Sequence, residues 1–281
     1  MIEPSKKTVL ITGASSGIGK ATALYLAGKG YGVIGTSRSL GRLDSLLTEA
    51  ELLAGTVEGI ELDVDHDESI ATALKPVIDS NKRIDVLVNN AAYGLWGPVQ
   101  SLSIDELRAQ FETNFLGSFR MMKALLPDMI ERGYGKIINI SSVEGRLVTP
   151  FNGGYAASKF ALEGLSEAMR FELWPFGVKV VVVEPGLFKT NFKNNQVDAE
   201  EAGSLDSPYR QLLSQYRKKR RRYDILDKDP IVVAKVIHKI IKARRPRFRY
   251  RVGSEATLGI LGSNLLPERM FQALMSRAIL K

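Results

Sequence analysis

No cysteine occurs in the chain, and only two histidines do. Disulfides, thiolate metal sites and thiol nucleophiles are therefore excluded. Two isolated imidazoles do not make a His-based metal cluster, so no metal is expected. Long apolar runs are missing too: no stretch of about 18 uninterrupted apolar residues appears, which argues against a membrane-spanning helix. The N-terminus, MIEPSKKTVLITG, runs almost directly into a strand pattern without the marks of a signal peptide, so a cytoplasmic protein is expected. Whatever chemistry the chain performs must come from oxygen and nitrogen groups.

What is present is the composition of a folded protein: 44% hydrophobic, 25% charged and 8% aromatic residues over 281 positions. The net charge of +8 hides an asymmetry. Residues 1–209 hold 20 basic and 26 acidic side chains, whereas residues 210–281 hold 19 and 5. Such a basic end can mark an anionic membrane surface, a phosphate-bearing ligand or nucleic acid, and a solvated helical face accounts for it equally well.

Seven short β-branched runs recur: TVLITG (8–13), YGVIGTSR (31–38), VEGIELDV (57–64), IDVLVNNA (84–91), GKIINISS (135–142), VKVVVVEPG (178–186) and RFRYRVG (247–253). The middle runs are apolar with little alternation, as in parallel strands buried on both faces. Between them lie segments of helical period, including 17–29, 103–132 and 154–176. Strand and helix alternating in this way predict an α/β fold, a single Rossmann-type doubly wound parallel sheet of about seven strands flanked by helices. No linker or repeat divides residues 1–281, so one domain is expected. Residues 191–230 interrupt the rhythm with a polar excursion, helical from Pro208, suited to a substrate lid. Asp229 and Pro230 open a further helix with a broad apolar face, and residues 254–281 form a C-terminal helical extension.

The first strand runs into Thr12, Gly13, Ala14, Ser15, Ser16, Gly17, Ile18 and Gly19, and a helix follows at once. Glycines in such a turn let the backbone approach a ligand, and a helix N-terminus offers free N–H groups to a pyrophosphate. In a doubly wound fold the end of the second strand meets the adenosine ribose, where an acid selects NAD and a basic group pairs the 2′-phosphate of NADP. Here Ser37 and Arg38 stand there without a carboxylate, which predicts NADP(H). Asp63 and Val64 end the third strand, where Asp63 either meets the adenine or caps the next turn.

Tyr155 and Lys159 are four residues apart in a helical segment, so they share a face. A neighbouring ammonium favours phenolate and draws a tyrosine toward neutrality, where acid/base exchange is efficient. Ser141 and Ser142 close the fifth run at the carboxyl end of the sheet, where open α/β folds bind ligands, and a serine there can donate to a substrate carbonyl. Asn89, Asn90 and Ala91 end the fourth run with small polar groups suited to cofactor contact. Pro185 and Gly186 leave a backbone carbonyl and amide after the sixth, with Thr190 able to reach a carboxamide.

These motifs, in this order and spacing from about Lys7 to Phe192, resemble the classical short-chain dehydrogenase/reductase family. Thr12 to Gly19 match its TGxxxGxG, Asp63 its adenine-binding Asp, Asn89 to Ala91 its NNA, Tyr155 to Lys159 its YxxxK, and Pro185 to Thr190 its PGxxxT, with Phe188 inside the last. The one departure is Ala92, where many relatives have glycine. The resemblance implies an enzyme acting on CH–OH groups with NADP(H). Ser142 and Tyr155 polarise the carbonyl, Tyr155 gives the proton, Lys159 tunes it and binds ribose, and Asn114 holds a relay water. It implies a small-molecule alcohol or carbonyl substrate, of the hydrophobic kind taken by the steroid and retinol branch. Tyr93, Leu95, Trp96, Val143, Glu144, Phe151, Leu187, Phe188 and Phe192 flank the motifs and are expected to face it. A homo-oligomer is implied as well. Peripheral contact of the basic C-terminal region with an anionic membrane is compatible with this reading, and nucleic acid is not the expected partner. The rival, a non-catalytic dinucleotide-sensing or anionic-surface-binding protein on the same fold, calls for loss of a catalytic residue, and none is lost.

Overall fold

A computed structural model describes residues 7–80, 82–190, 192, 195–204, 207–222 and 228–279. In chain order its strands are β1 (Thr8–Ile11), β2 (Gly32–Ser37), β3 (Thr56–Glu61), β4 (Val86–Asn89), β5 (Leu95–Trp96), β6 (Gly135–Ile140), β7 (Val178–Pro185), β8 (Val197–Asp198) and β9 (Arg249–Val252). The helices are α1 (Gly17–Gly28), α2 (Asp44–Ala50), α3 (Asp67–Asp79), α4 (Ile104–Phe111), α5 (Ser118–Glu131), α6 (Gly153–Leu173), α7 (Arg210–Arg222), α8 (Ile231–Lys242), α9 (Ser254–Leu265) and α10 (Glu268–Ile279).

All seven expected runs form strands, and they lie in one sheet in the order β3-β2-β1-β4-β6-β7-β9. Every ladder in it is parallel. The absence of alternation has its cause in burial on both faces: Val180, Val181, Val182 and Val183 of β7 are all fully buried. One face packs side chains of α1, α2 and α8, among them Ala23, Leu26, Leu46, Val233 and Ile237. The other packs α3, α5 and α6 through Ile70, Leu74, Met121, Met129 and Met169. Chain direction across the sheet reverses between β1 and β4, and a doubly wound fold opens a ligand crevice at such a switch point.

The helix expected over 103–132 is interrupted. Ser103 and Glu106 form a reciprocal capping box for α4, and α5 completes the segment, but Glu112–Gly117 between them make a wide π-helical turn. At Gly117 a Cβ would stand 2.7 Å from Val64 Cγ2, so glycine lets this turn press against the end of β3. Periodicity alone does not reveal an inserted residue of this kind.

The start of α8 follows its expected signal, because Asp229 Oδ1 accepts the Ile231 N–H at 2.8 Å. Its apolar face is narrower than expected: Val233, Ala234, Ile237, Ile240 and Ile241 are buried, while Ile231 and Val232 are exposed. Of the expected lid, residues 191, 193–194, 205–206 and 223–227 lie outside the described residues. Its described parts are stitched to the body. β8 pairs in parallel with β5, and Leu213 and Tyr216 of α7 pack on Trp96 and Phe151. α7 begins at Arg210, two residues after Pro208. Among the described residues no helix is long and apolar enough to cross a membrane.

Candidate active site

A cleft of about 590 Å³ opens at the carboxyl ends of β1, β2, β3, β4, β6 and β7. The glycine turn after β1 forms one wall. Gly13 and Gly17 have φ of +64° and +56°, the left-handed region that glycine adopts without strain. A Cβ on Gly13 would lie 2.9 Å from Ala91 Cα, and one on Gly17 3.1 Å from Thr190 Cβ, so both hydrogens hold the cradle open. Ser16, before α1, makes no side-chain cap, which leaves the first-turn N–H groups available to an anion. Ser15, Ser16, Ile18, Ser37, Arg38, Asp63, Val64, Asn90 and Ala91 line the same cleft, and Arg42 joins Arg38 there. This donor set fits a phosphate-bearing dinucleotide: glycine cradle, uncapped helix end, and two guanidinium groups after β2.

Several expected contacts prove to be braces. Gly19 lies outside the cleft, and a Cβ there would come within 2.3 Å of Gly13 O; it seats α1 against the turn. The Asn90 amide donates to Thr12 O at 2.9 Å and Gly13 O at 3.0 Å. The Thr12 hydroxyl accepts the Asn90 and Ala91 N–H groups, each at 3.0 Å. Asn89 lies outside the cleft lining and donates to Asn139 Oδ1 at 2.9 Å. Asp63 Oδ1 accepts the Asp65 N–H at 3.1 Å, so it does organise the following turn while lining the cleft. The Gly186 amide, expected to be open, donates to Val252 O at 2.9 Å.

Ser142, Tyr155 and Lys159 meet in the cleft. Ser142 lies two residues past β6, and its hydroxyl favours the ionised form of the Tyr155 phenol. Lys159 is buried; its Nζ donates to Ile140 O at 2.9 Å and lies 5.8 Å from the Tyr155 ring centre. Burial pushes the phenol above its ordinary value; the Ser142 hydroxyl opposes this and the Glu144 charge adds to it. Burial likewise lowers Lys159 to about 8, against the steadying charge of Glu163. At Lys159 burial acts against the Glu163 charge, whereas at Tyr155 burial and the Glu144 charge act together against the Ser142 hydroxyl.

Asn114 stands apart from these three. It lies in the π-helical turn, fully buried and outside the cleft lining. Its Oδ1 accepts the Tyr93 N–H at 3.1 Å, and its Nδ2 donates to Tyr93 O at 2.9 Å and Ser158 Oγ at 3.1 Å. Gln110 grips the same strand end, accepting from Leu95 N at 2.6 Å and donating to Tyr93 O at 2.9 Å. The sequence reading passed over Gln110, although its four-residue spacing from Asn114 is the signal of a shared helical face.

Of the residues expected to face substrate, Tyr93, Val143, Glu144, Leu187, Phe188 and Phe192 line the cleft. Phe192 stands edge-on to Tyr155 with ring centres 5.4 Å apart. Leu95, Trp96 and Phe151 do not. They join Leu213 and Tyr216 in a separate packed cluster, where Trp96 stacks on Tyr216 at 6.0 Å and lies under the Arg217 guanidinium at 4.6 Å. Large aromatic faces satisfied by one another leave nothing for a ligand. Asn152, Asp65 and Thr113 line the cleft without having been singled out.

The family model for short chain dehydrogenases matches residues 7–201. The chain is 38% identical over 271 residues to 3-ketodihydrosphingosine reductase of Bacteroides thetaiotaomicron, covering 94% of each protein. It is 39% identical over 260 residues to retinol dehydrogenase 8 of Bos taurus, covering 89% of this chain and 83% of that one. A solved short-chain dehydrogenase from Streptomyces avermitilis superposes with a TM-score of 0.82 at 35% identity, covering 97% of this chain and 96% of that structure. Matched along its length in sequence and in fold, the chain belongs to the short-chain dehydrogenase family, whose enzymes act between CH–OH and carbonyl carbon with a nicotinamide cofactor.

Proposed function

We propose that this enzyme uses NADP(H) and acts on a hydrophobic secondary alcohol, ketone or aldehyde. The observation that carries the proposal is the convergence of Ser142, Tyr155 and Lys159 on one cleft with the glycine turn and Arg38. Gly13, Ser15, Ser16, Gly17 and Ile18 would cradle the pyrophosphate, with Ser37 and Arg38 at the ribose 2′-phosphate. Asp63, Val64, Asn90 and Ala91 would flank the adenosine side, and Pro185 to Thr190 the carboxamide. When bound, the nicotinamide supplies or accepts the hydride.

The chain's own groups handle the proton. The Ser142 hydroxyl donates to the substrate oxygen and polarises the carbonyl, and the Tyr155 hydroxyl, kept protonated by burial, delivers its proton to that oxygen. Lys159, fixed by Ile140 O, presents positive charge to the phenolate that remains and a donor to the nicotinamide ribose. Oxidation runs these transfers backward. Asn114, with its amide engaged, braces the Tyr93 loop beside Tyr155. Val143, Leu187, Phe188 and Phe192 offer the substrate an apolar wall, which suits the hydrophobic compounds for which two relatives are named, retinol and 3-ketodihydrosphingosine. Exposed Phe119, Phe160, Phe171 and Trp174 on and after α5 and α6 support a homo-oligomer, and exposed Leu265, Met270 and Leu274 in the basic end support peripheral membrane contact.

Tyr155→Phe is expected to abolish NADPH-dependent reduction of an apolar ketone while leaving NADPH binding, read by fluorescence titration, within a few-fold. Turnover near the wild-type rate would overturn the assignment.

A further inference from the structure

Glu163 is a buried carboxylate to which the proposed chemistry gives no part, and it lies beside a group on which that chemistry depends. Tyr155, Lys159 and Glu163 follow one another at four-residue steps along α6. They form one stripe, in which neighbouring Cβ atoms are about 5–6 Å apart. Lys159 is 2% exposed and Glu163 4%. The short turn that Ser142 begins rests on this stripe at Gly145, where a Cβ would stand 3.1 Å from Glu163 Cγ and 3.4 Å from Lys159 O. A glycine at that point lets the turn settle directly over Glu163.

Lys159 calls for an opposite charge. Among the described residues its Nζ has one hydrogen-bond acceptor, the neutral Ile140 O, and no ion pair. Burial of that kind favours the neutral amine, which has no charge to offer a phenolate. Charged groups gather at the far end of the stripe. Arg249 of β9 binds Glu163 Oε2 at 2.9 Å and Glu167 at 2.9 Å, and it lies 3.5 Å from buried Glu184 of β7. Arg251 stands 3.4 Å from Glu184, and Arg146 acts on Glu167 and Glu184. At the near end Glu144 acts on the Tyr155 phenol. Of all these groups, Glu163 is the one whose charge reaches Lys159. Its Oε1 is buried without a hydrogen-bond partner among the described residues, while Arg249 anchors the other oxygen.

Resting on the oxidoreductase reading above, we infer that Glu163 is a positioning residue for the reaction, the internal counter-ion of the Lys159 ammonium. It is near enough to favour that charge, and it leaves Nζ free for Ile140 O, the phenolate and the nicotinamide ribose. Arg249 holds the carboxylate in place from the last strand of the sheet.

The test is the pH profile of NADPH-dependent reduction of an apolar ketone by wild type and by variants of the stripe. The ammonium is lost as pH rises, and removing a negative neighbour brings that loss to lower pH. Glu163→Gln should therefore move the alkaline fall of kcat/KM down by roughly one pH unit, the lower end of what one nearby charge does. Glu163→Asp, which retains the charge, should keep the wild-type position. So should Glu167→Gln, which takes a contact from Arg249 but no charge from Lys159. NADPH dissociation constants, titrated by fluorescence across the same range, give a readout without turnover. They should rise at the alkaline end, and about one unit earlier in Glu163→Gln. A purely structural role would instead lower activity by the same factor at every pH. Should Glu163→Gln fail to fold in urea titration, pairing it with Arg249→Gln removes both members of the ion pair, and the same downward shift is expected. An alkaline limb at the wild-type position in either folded variant, or an equal shift in Glu167→Gln, would overturn the inference. The parent reading fails separately, by turnover that survives Tyr155→Phe.

Discussion

At Tyr155 and Lys159 two effects compete, and burial prevails. Desolvation raises the phenol and lowers the ammonium to about 8, so Tyr155 is proposed to enter a reduction as a full proton donor. The four-residue spacing was legible in the sequence; the depth of the site was not, because solvent exclusion comes from residues far along the chain. Arg38 illustrates the opposite case, an exposed side chain whose proposed role rests on which strand it ends. Arg38→Ala is expected to raise the NADPH dissociation constant by roughly ten- to hundredfold while moving that for NADH by a few-fold at most, read by titration of each cofactor. Equal changes would remove the 2′-phosphate role. Trp96 and Phe151 marked the limit of residue-level reading. Each adjoins a motif, but sequence carries no sign of which way an aromatic side chain turns, and theirs meet the ring of Tyr216, more than 60 residues later.

Among the elements, strands were the most legible, because burial on both faces writes itself into unbroken β-branched runs such as VKVVVV. The helix over 103–132 was less so: its apolar period continues through a π-helical turn that Gly117 and Val64 make possible. Another long-range device joins β6 to α8. Lys136, a buried residue of β6, donates from Nζ to Ile240 O at 3.0 Å and Ala243 O at 2.7 Å, and also to Ile241 O. A cation thus closes the carbonyl end of α8, where the helix dipole favours it. Lys136→Met is expected to cost about 1.5–3 kcal/mol in urea unfolding. Burial lowers Lys136 from its ordinary 10.5 to about 8. Between those values the unfolded chain binds the proton that the native state has released, so stability rises with pH, and the variant should lack that rise. A deficit that shrinks above pH 8 would contradict this.

Across the whole molecule, the last strand is joined to α6 by charge. Arg249 of β9 reaches Glu163 at 2.9 Å, Glu167 at 2.9 Å and Glu184 at 3.5 Å, while Arg251 lies 3.4 Å from Glu184. Glu184 is fully buried, and its carboxyl is raised above the usual range by burial and by Glu163, with Arg146, Arg251 and Arg249 opposing. Arg249→Met removes the cation that buried Glu163 and Glu184 share, leaving Arg251 beside Glu184, and is expected to destabilise by about 3–5 kcal/mol in urea unfolding, with part recovered by adding Glu184→Gln. Purely additive effects would show that the charges are not coupled. No motif announced this network, whose members come from α6, β7 and β9.

The sequence by itself determined the parallel α/β sheet, the glycine turn and the order of the family motifs, because these are local: a period, a spacing, a missing side chain. Tertiary structure alone decided which of those residues share a cleft, that Trp96 and Asn114 do not line it, and that burial raises the Tyr155 phenol. Burial and direction are properties of everything packed around a residue, and here those neighbours are brought together only when the sheet is assembled.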